Sequence, residues 1–313
     1  MSTHEGNDGP VNPVVPDQDT EPNRGPDGTN GKTAEASGVK NRSVLGVIVH
    51  SFFVVPFLIA MLGVLLYAGV RILTIEHATV YDYLNDIKAG GATKRWQAAF
   101  ELSKVLADPE RIPAGDKFVR EMTAAFDHAQ HDDNRVRQYL ALAMGQTGNS
   151  QFIEPIAASL PDEPQENLYS LIYSLGLFRD ARVFPIVVSY LEHEYWRARD
   201  AAAVALGVIG DREGIGPLEK ALRDSEPNVR WDAAVALAKL GSSAGSDVLL
   251  DLLHRDYFAE YPNVDDREQS GILTVVIQVA APLNDPDIDA RIRYLSREDR
   301  DLRVRRAAHE ALR

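Results

Sequence analysis

Two hydrophobic patterns divide the chain. From Val44 to Val70, VLGVIVHSFFVVPFLIAMLGVLLYAGV, 27 residues carry no formal charge. As a helix they are about 40 Å long, against a hydrocarbon core of roughly 30 Å. The pattern predicts one transmembrane helix over 44–70, closed by Lys40 and Arg42 on one side and Arg71 on the other. A buried core helix is the alternative, but such helices are rarely apolar on every face over this length. His50 and Pro56 interrupt the run; with no acidic partner in the segment, His50 reads as an interface or packing residue rather than a proton site. Residues 72–88 keep helical spacing and place Val80, Leu84 and Ile87 on one stripe beside Tyr83, until Gly90 and Gly91 break it. A juxtamembrane helix and linker over 72–90 is expected, packed on the following unit or on the membrane surface.

The second pattern has a period of 31. Gly148, Arg179, Gly210 and Gly241 occupy one position. Leu160, Leu191, Leu222 and Leu253 share another, Ile156, Val187, Leu218 and Leu249 a third, and Met144, Leu175, Leu206 and Leu237 a fourth. Units of this size cannot bury an apolar face alone and must stack on their neighbours. Within a unit, Val229, Ala233, Ala236, Leu237 and Leu240 have helical spacing and end at Gly241, which suits the left-handed turn after a helix. That half is helix A. Val248, Leu249, Leu252 and Leu253 repeat the spacing after a polar link and form helix B. Pro155 and Pro217, two periods apart, sit where a missing amide donor costs least. Arg95, Trp96, Ala98, Ala99 and Leu102 match the 230–237 segment and start a first unit near residue 93. Val304, Arg305, Ala308, Ala311 and Leu312 start a last one, with a degenerate unit over 265–299 between. The fold expected is all-α: an α-solenoid of helical hairpins over 93–313, preceded by one transmembrane helix and a polar tail.

VRWDAAVALAKLG at 229–241 and RARDAAAVALGVIGD at 197–211 resemble the HEAT repeat, in particular the short bacterial variety also found in phycobilin lyases. The resemblance covers roughly residues 93–313. It implies a scaffold or binding surface and, in a few members of the family, enzymatic work. His193-Glu194 and His309-Glu310 resemble the pairs with which HEAT-like deoxyhypusine hydroxylases hold iron, but one pair ends a helix B and the other lies inside a helix A, so no shared metal site is expected. Nothing marks a chromophore pocket of the lyase kind. No Gly-rich phosphate loop, HExxH pair or nucleophile elbow is present. The expectation is a non-enzyme without cofactor or metal.

Composition narrows the partners. Residues 1–41 hold Pro10, Pro13, Pro16, Pro22 and Pro26, six glycines and no aromatic residue, and are expected to form a disordered tail. A formal charge of −13 opposes attraction to phosphate backbones, so nucleic acid is not an expected partner. Absence of cysteine excludes disulfides and thiolate metal sites. Localisation at a cell membrane follows from the 44–70 span; Lys32, Lys40 and Arg42 against Arg71 and Lys88 leave its orientation open.

Arg137, Arg199, Arg230 and Arg305 share a repeat position with Arg95. They read as a structural ladder pairing with acidic groups of the adjoining layer, for which Asp132, Asp224 and Asp299 are available, rather than as an anion-binding row. Helix B is expected to line the binding face, which makes Glu192, Glu219, Lys220, Arg223 and Asp251 candidates for contact with a protein. The segment from His254 to Ser270 exceeds the period and carries Tyr257, Phe258 and Tyr261 among acidic residues, a preferred contact site unless the rings tuck against the unit beside them. From Arg291 to Arg313 eight arginines face four acidic residues, suited to an acidic partner or to a polar end cap. The reading is a membrane-anchored scaffold that binds or recruits a protein in or at the membrane. The alternative is an accessory subunit of a larger membrane complex, with Gly63, Ala68 and Gly69 making contacts from the span.

Overall fold

The computed structural model describes residues 50–73 and 78–313. The polar tail and the first residues of the apolar run, 44–49, lie outside the described residues. The chain divides into two units, Met1–Ile75 and Glu76–Arg313.

In the first unit, a widened π-helical turn at His50–Val54 leads into α1 (Val55–Leu73). The turn stands just before Pro56, whose ring crowds the carbonyl four residues back and which has no amide hydrogen to donate. Phe52–Val70 has a mean hydropathy of 2.4 and none of it is buried. It is long and apolar enough to cross a membrane.

The second unit opens with α2 (Val80–Ala89). Thr79 caps it reciprocally: its hydroxyl accepts from the Asp82 amide, and the Asp82 carboxylate accepts from the Thr79 amide at 2.8 Å. Because Thr79 is extended, the continuous helix expected over 72–88 does not form; the chain starts α2 afresh. Val80, Leu84 and Ile87 are buried against the first layer, as their stripe requires.

The layers follow as pairs of an A and a B helix: α3 (Ala92–Val105) with α4 (Asp116–His128), α5 (Asn134–Gln146) with α6 (Ile153–Ser159), and α7 (Gln165–Leu177) with α8 (Phe184–Ser189). Then come α9 (Trp196–Ile209) with α10 (Ile215–Ala221), α11 (Pro227–Lys239) with α12 (Ser246–Leu252), and α13 (Asp266–Ala280) with α14 (Pro286–Glu298). A last A helix, α15 (Leu302–Ala311), packs on both helices of the preceding pair. There is no strand among the described residues. Each A helix stacks on the next, and the interior is one file of small and branched residues such as Ala141, Ile172, Ala202 and Ala233.

A row of glycines lets the A helices approach. A Cβ on Gly145 would stand 2.6 Å from the Ser174 carbonyl oxygen. On Gly176 it would stand 2.8 Å from the Ala205 Cβ, and on Gly207 2.9 Å from the Ala236 Cα. These glycines are also 31 residues apart, so the same backbone-to-backbone contact recurs at three successive junctions.

The turn after each A helix is left-handed: φ is +63° at Gly148, +50° at Arg179, +80° at Gly210 and +74° at Gly241. Arg179 takes the strained conformation that glycine takes elsewhere in the row, and its side chain is exposed. Replacing Arg179 with Gly is therefore expected to stabilise the domain by about 1 kcal/mol. A thermal melt should rise by roughly 2–4 °C; an unchanged or lower midpoint would show that the turn is not strained.

The repeated arginines fork between layers. One guanidinium arm reaches a backbone carbonyl before its own helix: Gly90 for Arg95, Phe126 for Arg137, His193 and Glu194 for Arg199, Asp224 and Ser225 for Arg230, and Asp299 for Arg305. The other arm pairs forward. Arg95 meets Asp132 at 2.7 Å, Arg199 meets Asp224 at 2.6 Å, and Arg137 meets Glu163 at 2.5 Å. Two details depart from the expected ladder. Arg230 and Arg305 hold carbonyls without a carboxylate partner, and Asp299 pairs with Arg255 instead, at 2.9 Å. The reason for the exchange is the long 254–270 connection, which brings Arg255 to the place where the next layer would otherwise offer an acid.

Candidate partner-binding site

Three surfaces of the solenoid carry chemistry. On the B row, Glu192, Glu219, Lys220, Arg223 and Asp251 are all exposed. Glu192 and Lys220 line one groove of about 430 Å³ between α8 and α10, together with Leu191, Pro217 and Asp224. Glu219, Arg223 and Asp251 stand outside that groove. The repeated leucines are packed beneath: Leu160 and Leu253 are buried, and Leu191 and Leu222 half-buried.

The second surface is the long connection. A 3-10 turn at Arg255–Glu260 folds it back, and its rings gather on Trp231 of α11. Trp231 meets Tyr257, Phe258 and Tyr261 edge-on at centroid distances of 6.3, 6.0 and 4.9 Å. The Trp231 indole donates to the Tyr257 hydroxyl at 3.2 Å, and the Tyr257 and Tyr261 hydroxyls lie 3.3 Å apart. Phe258 is only 2% exposed. As a contact residue it is corrected to core, because burying its ring fills the interval where α13 packs less closely on α11 than α9 does. Tyr257 and Tyr261 are half-buried and keep one edge outward. The turn is fastened by Arg255, which donates to both oxygens of Asp299 at 2.9 Å and to the Ser270 hydroxyl at 3.0 Å. Burial pushes the Asp299 carboxyl up, but the Arg255 guanidinium and the Asp301 amide outweigh it and hold it below the usual carboxylate range. Beside it, Arg255, Arg291 and Arg300 share a cavity of about 530 Å³ with Asp256, Glu298 and Asp299, so the basic end of the chain presents mixed charge there.

The third surface was not singled out from the sequence. Asp200 on α9 and Asp232 on α11 face each other at the same junction, lining a cavity of about 530 Å³ with Asn228, Trp231, Val235, Glu268, Ile272 and Val275. Asp200 is 8% exposed, and its Oδ1 is buried with no hydrogen-bond partner. Burial, a hydrogen bond to Asp232 and repulsion from its charge push the Asp200 carboxyl up to about 8. Burial raises Asp232 as well, while the hydrogen bond from Asp200 and the charge of Lys239 restrain it. Two like charges this close cannot both ionise cheaply, so near neutral pH the pair shares one proton. The negative field reaches Tyr169 on α7, whose phenol is pushed up to about 12 by burial and by the two aspartates.

The linkage has a definite sign. The Asp200 carboxyl binds its proton more tightly folded than unfolded, so its stabilising contribution is complete below about pH 4 and is lost as pH rises towards about 8. Asp200→Asn keeps a donor for Asp232 without the titration. It is expected to melt several degrees above the unaltered protein at pH 8, the gap closing near pH 4; a constant gap across that range would refute the shared proton.

His193 accepts from the Tyr195 amide at 3.0 Å and stacks on Tyr190, while His309 is exposed on α15, in a different layer. Among the described residues, no three or more His, Asp or Glu side chains converge as metal ligands.

The HEAT-repeat family model matches residues 185–260, from α8 through the aromatic turn. This chain carries HEAT repeats. Its solenoid is similar to the complex of CpcE and CpcF of phycocyanin lyase from Nostoc, with 16% identity, a TM-score of 0.50, and 75% of this chain and 94% of the other covered. An engineered protein aligns at 18% identity and a TM-score of 0.35, over 74% of this chain and 94% of its own. Human deoxyhypusine hydroxylase in complex with glycerol aligns at 15% and 0.33, over the same shares. No curated protein matches the sequence. The likeness to the lyase structure is one of fold.

Proposed function

We propose that the protein is a membrane-anchored scaffold whose HEAT-repeat solenoid binds a protein in or at the same membrane, without catalysing a reaction. The observation that carries this reading is the joining of a wholly exposed apolar helix, Phe52–Val70, to a repeat domain with its own closed core. Nineteen apolar residues left open to water would be an aggregation hazard, and a bilayer removes it. A repeat array offers a long surface from which loops and charged rows project, which suits recognition of another chain. The lyase structure that shares this fold is itself a complex of two proteins. Glu192 and Lys220, on their common groove, are the contact residues on the B row, and the outward edges of Tyr257 and Tyr261 flank the far end.

The anchor is tested by alkaline carbonate extraction of membranes from cells making the full chain. Retention in the pellet, with release only by detergent, is expected; recovery in the wash would end the reading. Contact is tested by cross-linking in intact membranes: Glu192→Lys combined with Lys220→Glu should lose a cross-linked partner that the unaltered protein holds, whereas an unchanged pattern would remove the groove from the interface.

A further inference from the structure

Most carboxylates of the solenoid have a cationic or amide partner. Asp132, Asp224 and Asp299 each pair with an arginine, and Asp133, Asp180 and Asp301 each hold an arginine two residues on. Asp200 stands apart: its side chain is more than nine-tenths buried, its Oδ1 has no donor, and it lines an open cavity rather than a packed interior. Leaving a carboxyl oxygen buried and unpaired costs about 1–3 kcal/mol or more, and the repeat would tolerate alanine here, as it does at Ala201, Ala202 and Ala203 alongside. A group retained against that penalty, facing a cavity, is suited to receive a donor from outside the chain.

We propose that the cavity between α9, α11 and α13 binds one organic cation, a guanidinium or alkylammonium group, with Asp200 and Asp232 as its acceptors. The lining fits that chemistry. Val235, Ile272 and Val275 offer an apolar wall for an aliphatic stem, Trp231 adds an aromatic side, and Glu268 and Asn228, both exposed, stand at the rim. A metal ion fits less well, because the acidic residues here do not converge as ligands. The volume, about 530 Å³, exceeds that of one basic side chain head and admits its stem.

Charged and titratable neighbours set the proton balance. Arg197 on α9 and Lys239 on α11 act on the pair through space, and neither forms an ion pair with it. Tyr169 and Tyr173 approach from α7, and Glu268 from α13. An entering cation favours the doubly ionised pair, so the shared proton leaves as the cation binds. Binding is therefore stronger at pH 8 than at pH 6. The cation comes from one of two sources, a basic side chain of a partner protein or a free polyamine. The inference does not depend on the membrane anchor.

Isothermal titration calorimetry on the full chain in detergent micelles tests it, with N-acetyl-arginine methylamide, spermidine, and uncharged N-acetyl-citrulline methylamide as probes. Saturable binding of a cationic probe is expected, with none of the citrulline probe. Repeating the titration in buffers of different ionisation enthalpy should show release of up to one proton per chain near neutral pH. Asp232→Asn should weaken binding by about tenfold or more, the loss of one charge-assisted acceptor. Asp200→Asn should weaken it similarly and abolish proton release, its thermal melt showing that the fold is kept. Tighter binding of the arginine probe assigns the site to a protein side chain, and tighter binding of spermidine to a free amine. No saturable heat with either cation, equal binding of the citrulline probe, or unaltered affinity in both variants would each overturn the proposal.

Discussion

Glu163→Ala is expected to destabilise the solenoid by about 3–5 kcal/mol. Arg137 and Glu163 are the most deeply buried of the ion pairs, with side chains 3% and 2% exposed. The Arg137 guanidinium lies 3.5 Å over the Phe126 ring, donates to the Phe126 carbonyl, and meets Glu163 through Nε at 2.7 Å; Asn167 donates to the other Glu163 oxygen at 3.0 Å. Removing the carboxylate leaves a permanently charged guanidinium in the interior with nowhere to turn, and an Asn167 amide without its acceptor. The cost is that of the stranded charge, so the double change Arg137→Met with Glu163→Met should recover most of it. Chemical denaturation of the three variants separates the cases. A single variant within about 1 kcal/mol of the unaltered protein would mean that the pair is effectively solvated and the fork does not hold the second and third layers together.

The fork illustrates how far the sequence could be read. A recurring Arg at a 31-residue spacing announced a ladder, because a repeat position is the same environment each time. Which acid it meets was legible only where the connection has standard length. Asp132 and Asp224 take their expected places. Glu163 replaces the acid one layer on, and Asp299 is claimed by Arg255 because the connection after α12 is longer than the period. The all-α solenoid itself was readable from the four apolar rows, since stacking is the way for such units to bury them. The aromatic rings were ambiguous for a physical reason: a loop with aromatics looks alike whether its rings face a partner or plug a gap. Here α13 stands off α11, Phe258 fills the space, and Tyr257 and Tyr261 end half in and half out.

Asp200 and Asp232 escaped notice because they are 32 residues apart, one step off the register, and so occupy different repeat positions on neighbouring helices. A signal existed. Each aspartate opens an alanine run, RDAAA on α9 and WDAA on α11, where the first inward-facing residue of an A helix would be expected to be apolar. A charged residue at the margin of a core stripe on two successive helices points to a shared site between them. The glycine row was equally visible and equally unused: Gly145, Gly176 and Gly207 keep the period, and attention to the left-handed glycines after each helix hid those inside it.

That inner row carries the other large effect. Gly207→Leu is expected to cost about 3 kcal/mol or more, because its Cβ alone would stand 2.9 Å from both the Cα and Cβ of Ala236. The obstruction is backbone, which cannot swing aside as a flexible side chain does, so α9 and α11 must separate along the junction. Two features of the molecule amplify the separation. α11 belongs to both core clusters, with Val229, Ala233 and Leu237 facing one and Trp231, Ala234 and Val235 the other, so displacing it loosens packing on both sides. Asp200 and Asp232 straddle the same junction, and a wider gap admits water to their carboxyls. The variant should therefore show two changes together: a lower denaturation midpoint, and a flatter dependence of stability on pH between about 4 and 8 as the Asp200 carboxyl returns towards its ordinary value. Gly207→Ala separates the terms, since its better helix propensity, worth up to about 1 kcal/mol, partly offsets a smaller clash. A leucine variant as stable as the unaltered protein would mean that the A helices are not in backbone contact, and the packing that the 31-residue period implies would have to be redrawn.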